Sequence, residues 1–141
     1  MSSSVATYRP RVREYPLTAR AADLELWRRE AAGVAREWRA SPSVVNVVRL
    51  GVTELLSNVI KHVDDQRCSL MIYKLGDALV VSVSDRSLVL PEVCGAPDWD
   101  AESGRGLWML QSMAASVGSH RVDGLFKKCV WFRCDTGAGA R

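Results

Sequence analysis

A glutamate, an asparagine, a lysine and a histidine fall within about two helical turns in the segment Gly51-Val-Thr-Glu-Leu-Leu-Ser-Asn-Val-Ile-Lys-His62. At about 100° per residue, with Glu54 at zero, Asn58 falls near ~40°, Lys61 near ~-20° and His62 near ~80°. Val52, Leu55, Leu56 and Val59 fill the arc from roughly 100° to 200°. One narrow polar stripe therefore runs along a helix that otherwise belongs in a core. Burying such groups costs free energy unless partners, water or a ligand satisfy them. The chemistry they offer is coherent. An amide oxygen is a hard ligand suited to Mg²⁺, which takes few protein ligands and shares substrate phosphates. A carboxylate one turn away can orient or deprotonate an attacking oxygen, and a lysine can meet phosphate charge. A solvent-facing strip on an ordinary amphipathic helix has the same periodicity, so the stripe alone does not decide.

Two further elements bear on it. The alternating run Val80-Val-Ser-Val-Ser84 ends at Asp85, a carboxylate that can accept a hydrogen bond from an exocyclic amine such as adenine N6; with Ser87 nearby it also reads as a turn-forming aspartate. Glu102-Ser-Gly-Arg-Gly-Leu107 leads into an apolar helix. Glycines permit close backbone approach, and a following helix N-terminus points N–H groups at an anion. Arg105, between Gly104 and Gly106, adds positive charge where a phosphate would lie. A lone G-x-G is weak; it gains weight from its order after the other two elements.

The elements that must position these residues are legible from periodicity. Residues 13–18 read as a short edge strand, with Pro16 limiting its pairing. Over residues 19–40, Leu24, Trp27, Ala31, Val34, Ala35 and Trp38 recur at helical spacing. Ser41-Pro42 is a helix start, a capping serine with proline at the first helical position, for a second helix over residues 42–62. Residues 66–75, Gly76-Asp77 and residues 78–84 read as strand, turn and strand. Residues 87–90 form a short run ending at Pro91, and 91–103 a mobile loop. Residues 107–114 read as a short helix, and 117–122, Asp123-Gly124 and 127–134 as a second hairpin. Helices first and strands later argue for α+β, a two-layer sandwich of a mostly antiparallel, mixed sheet with helices on one face. The expected organisation is a flexible arm over 1–12, one domain over 13–134 and a frayed tail over 135–141.

Composition narrows the class. Hydrophobic residues at 48% and charged residues at 25% suit a soluble globular domain, and 141 residues suffice for one core. A net charge of +3 is too small to argue for nucleic acid, and the Arg9, Arg11 and Arg13 arm reads as a solvated lead-in. Cys68, Cys94, Cys129 and Cys134 form no C-x-x-C pair, and His62 and His120 lack zinc-finger spacing, so reduced thiols are expected. Trp27 and Trp38, at helical spacing, are expected in the core. With no apolar signal core and no run expected to span a membrane, a cytoplasmic location is the default.

Taken together, Glu54-x-x-x-Asn58-x-x-Lys61-His62, Asp85 and Gly104-Arg-Gly106-Leu107 resemble the N, G1 and G2 boxes of the GHKL (Bergerat-fold) ATPase/kinase superfamily. Within it the chain is similar to the anti-sigma-factor serine kinases, over roughly residues 13–134. That resemblance implies a histidine-kinase-like ATPase fold, with ATP and Mg²⁺ as cofactors. It implies Glu54 as general base toward an acceptor serine, Asn58 as the Mg²⁺ ligand, and Lys61 and His62 on the phosphate side. It implies Asp85 reading adenine N6, and Gly104, Arg105 and Gly106 cradling phosphates under a lid over 91–103, with Leu107 also among the cofactor-binding residues. It also implies, as partners, a sigma factor and a small STAS-fold antagonist whose serine is phosphorylated, with homodimerisation, no membrane and no direct nucleic acid. No phosphoacceptor helix is visible, which argues against a two-component histidine kinase. Two positions depart from the pattern: Ser87 stands where the family's D-x-G has glycine, and Cys129 where a threonine precedes the final Val-Trp. A regulatory module of the same fold that recognises a partner without phosphotransfer is therefore the second expectation.

Overall fold

The computed structural model describes residues 11–89 and 105–135, with the side chain of Arg105 excepted. Residues 1–10 of the arm expected over 1–12, residue 90, the loop and lid over 91–103 with Cys94, Gly104, and residues 136–141 of the expected tail lie outside the described residues.

Strand β1 (Arg11–Thr18) begins two residues before the expected boundary, so Arg11 belongs to the sheet and not to an arm. A 3-10 turn (Ala21–Asp23) opens helix α1 (Leu24–Glu37), which ends with Arg39 at φ 66 and the Ala40 N–H returning to the Ala35 carbonyl at 2.9 Å. Helix α2 (Pro42–His62) starts as its sequence dictates: Ser41 Oγ accepts the Val44 N–H at 3.3 Å and Pro42 opens the first turn. Then come β2 (Arg67–Leu75), β3 (Ala78–Asp85), α3 (Arg105–Met113), β4 (Ser116–Arg121) and β5 (Lys128–Asp135). The β2–β3 turn uses Gly76 at φ 55, a left-handed conformation that glycine adopts without penalty.

The five strands form one sheet in the order β1-β2-β3-β5-β4, and every pairing is antiparallel. The sheet expected to be mixed is thus wholly antiparallel among the described strands, because each neighbour is reached by a hairpin or a returning excursion. The fold is the expected α+β arrangement, a sheet with helices packed against it.

Alternation assigns the sheet faces. Leu70 and Ile72 of β2, Leu79, Val81 and Val83 of β3, and Val130 and Phe132 of β5 are buried beneath the helices. With Val48, Val52, Leu55, Leu56 and Val59 of α2 they make one core. Helix α2 is long and apolar enough to cross a membrane by length and composition, against the sequence expectation; here those apolar residues are spent on the sheet. A polar seam joins α1 to α2, with Glu25 taking Arg28 at 2.8 Å and Arg49 at 3.4 Å, and Arg28 reaching Thr53 Oγ1 at 3.0 Å. Of the two tryptophans expected in the core, Trp38 lies in it and Trp27 packs against its edge, half-buried. Trp38 is buried with the Arg13 guanidinium 5.3 Å from its ring centre, and Trp27 meets Tyr15 edge-on at 5.5 Å. Arg13 also pairs with Glu37 at 2.7 Å, which gives this arginine a structural use within the sheet.

Candidate functional site

Helix α2 and strand β3 arrive at the same end of the molecule. Gly51 lies so close to Phe132 of β5 that a Cβ there would overlap the ring, and Phe132 stands opposite Val81 of β3. From that crossing Asn58 is roughly 10 Å further along the helix, and Asp85 roughly 13 Å further along its strand. The directions agree because the end of α2 turns tightly into β2. Gln66 donates its backbone N–H to the Val63 carbonyl at 3.1 Å and its side-chain amide to the Ile60 carbonyl at 3.1 Å. Cys68, the second residue of β2, is then the register partner of Asp85.

Helix α3 closes against the polar stripe. Gly106 faces the Glu54 carboxylate so directly that a Cβ on Gly106 would coincide with Glu54 Oε1. A side chain at position 106 would displace the Glu54 carboxylate from its present place, and the contact joins two of the three sequence elements. Glu54 is partly buried, and this desolvation raises its carboxyl above the usual 4.5, opposed by the positive charge of Lys61. A carboxylate shifted upward is a better proton acceptor than one left in water. One turn along the same stripe, Asn58 Nδ2 is buried and has no hydrogen-bond partner among the described residues. Because amide O and N are interchangeable on rotation of the group, this orphan can serve a phosphate oxygen as donor or a cation as acceptor. Among the described residues no cluster of three or more His, Cys, Asp or Glu exists to hold a metal. The donor set fits a cation with a single amide ligand and its remaining ligands from water and phosphates.

The other expected residues divide. Lys61 and His62 lie exposed on the last turn of α2, Lys61 near enough to act on Glu54 electrostatically. Leu107 is buried, a core anchor that seats the first turn of α3. Helix α3 starts at Arg105, so Gly106 sits inside its first turn and not in a loop before it. Asp85 is buried; its Oδ1 accepts the Ser87 N–H at 2.8 Å, and Ser87 Oγ accepts the Val89 N–H at 3.1 Å. The Ser87 hydroxyl is therefore engaged in its own turn.

Cys129 requires a correction. It pairs with Ser84, on the sheet face opposite Asp85. The register partner on the Asp85 face is Lys128, buried, with its ammonium 3.3 Å from Asp85 Oδ2. Sequence reasoning passed over Lys128, although a signal existed: it is in phase with Val130, Phe132 and Cys134, the apolar positions of β5. A lysine at an inward-facing strand position needs a partner.

A family model described as a histidine kinase-like ATPase domain matches residues 17–134. No curated protein matches the chain.

Proposed function

The chain belongs to the histidine kinase-like ATPase family, and from that premise we propose that it is an ATP-binding regulator working as a protein serine kinase on an anti-sigma antagonist, and as a sequestering partner of a sigma factor, in the cytoplasm. The observation that carries this reading is the apposition of Gly106 and Glu54, with the orphaned Asn58 amide one turn away on the same stripe. The bound nucleotide would supply the transferable phosphoryl group, and Mg²⁺ would neutralise charge on it. The rest falls to side chains of this chain. Asn58 would hold the cation, and Lys61 would meet phosphate charge at the mouth of the site. Glu54 would take the proton from the incoming serine hydroxyl, a task its raised carboxyl suits. Asp85 would accept the adenine amine with a lone pair that its turn and ion pair leave free.

One observation favours the second reading, a partner-recognition module without phosphotransfer: both Asp85 oxygens already have partners within the chain. Incubation with labelled ATP, Mg²⁺ and a STAS-type antagonist separates the two. Labelled antagonist that disappears with Glu54→Ala supports the kinase. Tight ATP binding with an unlabelled antagonist supports the module.

A further inference from the structure

Lys128 is 4% exposed, and among the described residues its ammonium has one partner, Asp85 Oδ2 at 3.3 Å. A buried lysine is rare and expensive, since its charge must be compensated inside the protein. The ammonium has three N–H donors and no acceptor, so one ion pair leaves donor capacity directly beside a carboxylate. Asp85 Oδ1 is occupied by the Ser87 N–H at 2.8 Å. What the pair offers is one acceptor, at Oδ2, next to one donor, at Nζ. The backbone fixes this placement, because Asp85 and Lys128 are direct register partners and the Lys127 N–H donates to the Asp85 carbonyl at 2.8 Å.

We propose that Lys128 is a specificity-determining residue of the nucleotide site, its ammonium donating to N1 of adenine while Asp85 accepts from the N6 amine. This rests on the reading of Asp85 as the base-facing acid and adds a second, directional contact to it. Adenine presents one N–H donor beside one ring-nitrogen acceptor, which matches one carboxylate oxygen beside one ammonium. Guanine reverses both groups, with a carbonyl at position 6 and an N–H at position 1, so in the same pose acceptor would meet carboxylate and donor would meet ammonium.

The test is calorimetric titration of the full chain, with Mg²⁺, using ATP, 1-deaza-ATP (C–H in place of N1) and 7-deaza-ATP (N1 retained). The expected result is that 7-deaza-ATP binds like ATP and 1-deaza-ATP binds roughly tenfold or more weakly, the scale of a lost hydrogen bond to a charged group. In Lys128→Met the gap between ATP and 1-deaza-ATP closes. If this variant does not fold, as thermal melting would show, the comparison of nucleotides on the unaltered chain still decides. Equal binding of ATP and 1-deaza-ATP overturns the role of Lys128 and leaves the ATP site standing. Tighter ATP binding by a folded Lys128→Met also overturns it, because the lysine would then be an obstruction to the base. Failure of all three nucleotides to bind removes the nucleotide reading itself, and this proposal with it.

Discussion

Glu54 and Gly106 show how one contact constrains two residues. A methyl group at position 106 would collide with the end of a flexible side chain and not with backbone, so the chain in Gly106→Ala can fold by moving the Glu54 carboxylate aside. The expected outcome is a melting temperature close to that of the parent with phosphotransfer reduced about 100-fold, the scale of a 1 Å misplacement. Parallel melts and rate measurements check it; a variant that melts early and retains its rate would contradict the geometry. The second expectation at this scale concerns pH. Burial raises the Glu54 carboxyl above 4.5, so the acid limb of phosphotransfer should lie above the range of an exposed glutamate. The sign for stability follows from the same shift. A carboxyl raised in the folded state binds its proton more tightly there, so its contribution is lost as pH rises through the folded value. Glu54→Gln should accordingly melt slightly higher than the parent at neutral pH while phosphotransfer is lost.

At the scale of elements, most boundaries were legible because each had a local cause. Ser41-Pro42 opened α2, Gly76 closed the first hairpin, and the stripe on α2 followed from a period of 3.6. What was missed needed register. Cys129 and Lys128 are adjacent in sequence and on opposite faces of β5, so placing the site residue required the phase of the strand and not its motif. Likewise the wholly antiparallel sheet follows from β5 returning beside β3, a long-range pairing that no local pattern specifies. The crossing of α2 over β5 supplies a prediction of its own. Gly51 lies against the fully buried Phe132 ring, so Gly51→Ala should overpack the core and destabilise by about 1–3 kcal/mol. Chemical denaturation reads this directly. An unchanged midpoint would contradict the close approach of Gly51 to Phe132.

For the whole molecule, three buried or half-buried groups give a common alkaline limit. Burial pushes the Cys68 thiol from 9.0 to about 12 and Cys134 from 9.0 to about 11. Burial together with its 2.8 Å hydrogen bond to Glu30 takes Tyr15 from 10.0 to about 12. Each folded value exceeds the unfolded one, so the stability they contribute is complete below pH 9 and drains away between roughly 9 and 12. Denaturant midpoints measured across that range should fall, and Cys68→Ala should flatten the early part of the decline. The order of the sheet has a different outcome. Between Asp85 and Lys128 the chain leaves the centre of the sheet, builds α3 and β4, and comes back to the strand position beside the one it left. A backbone severed within 90–104 therefore yields two pieces whose mutual seam is the β3–β5 ladder through the middle of the core. Produced as separate polypeptides, they should reassemble into one heterodimer on a sizing column. Covalent continuity at that stretch would then be dispensable for the architecture.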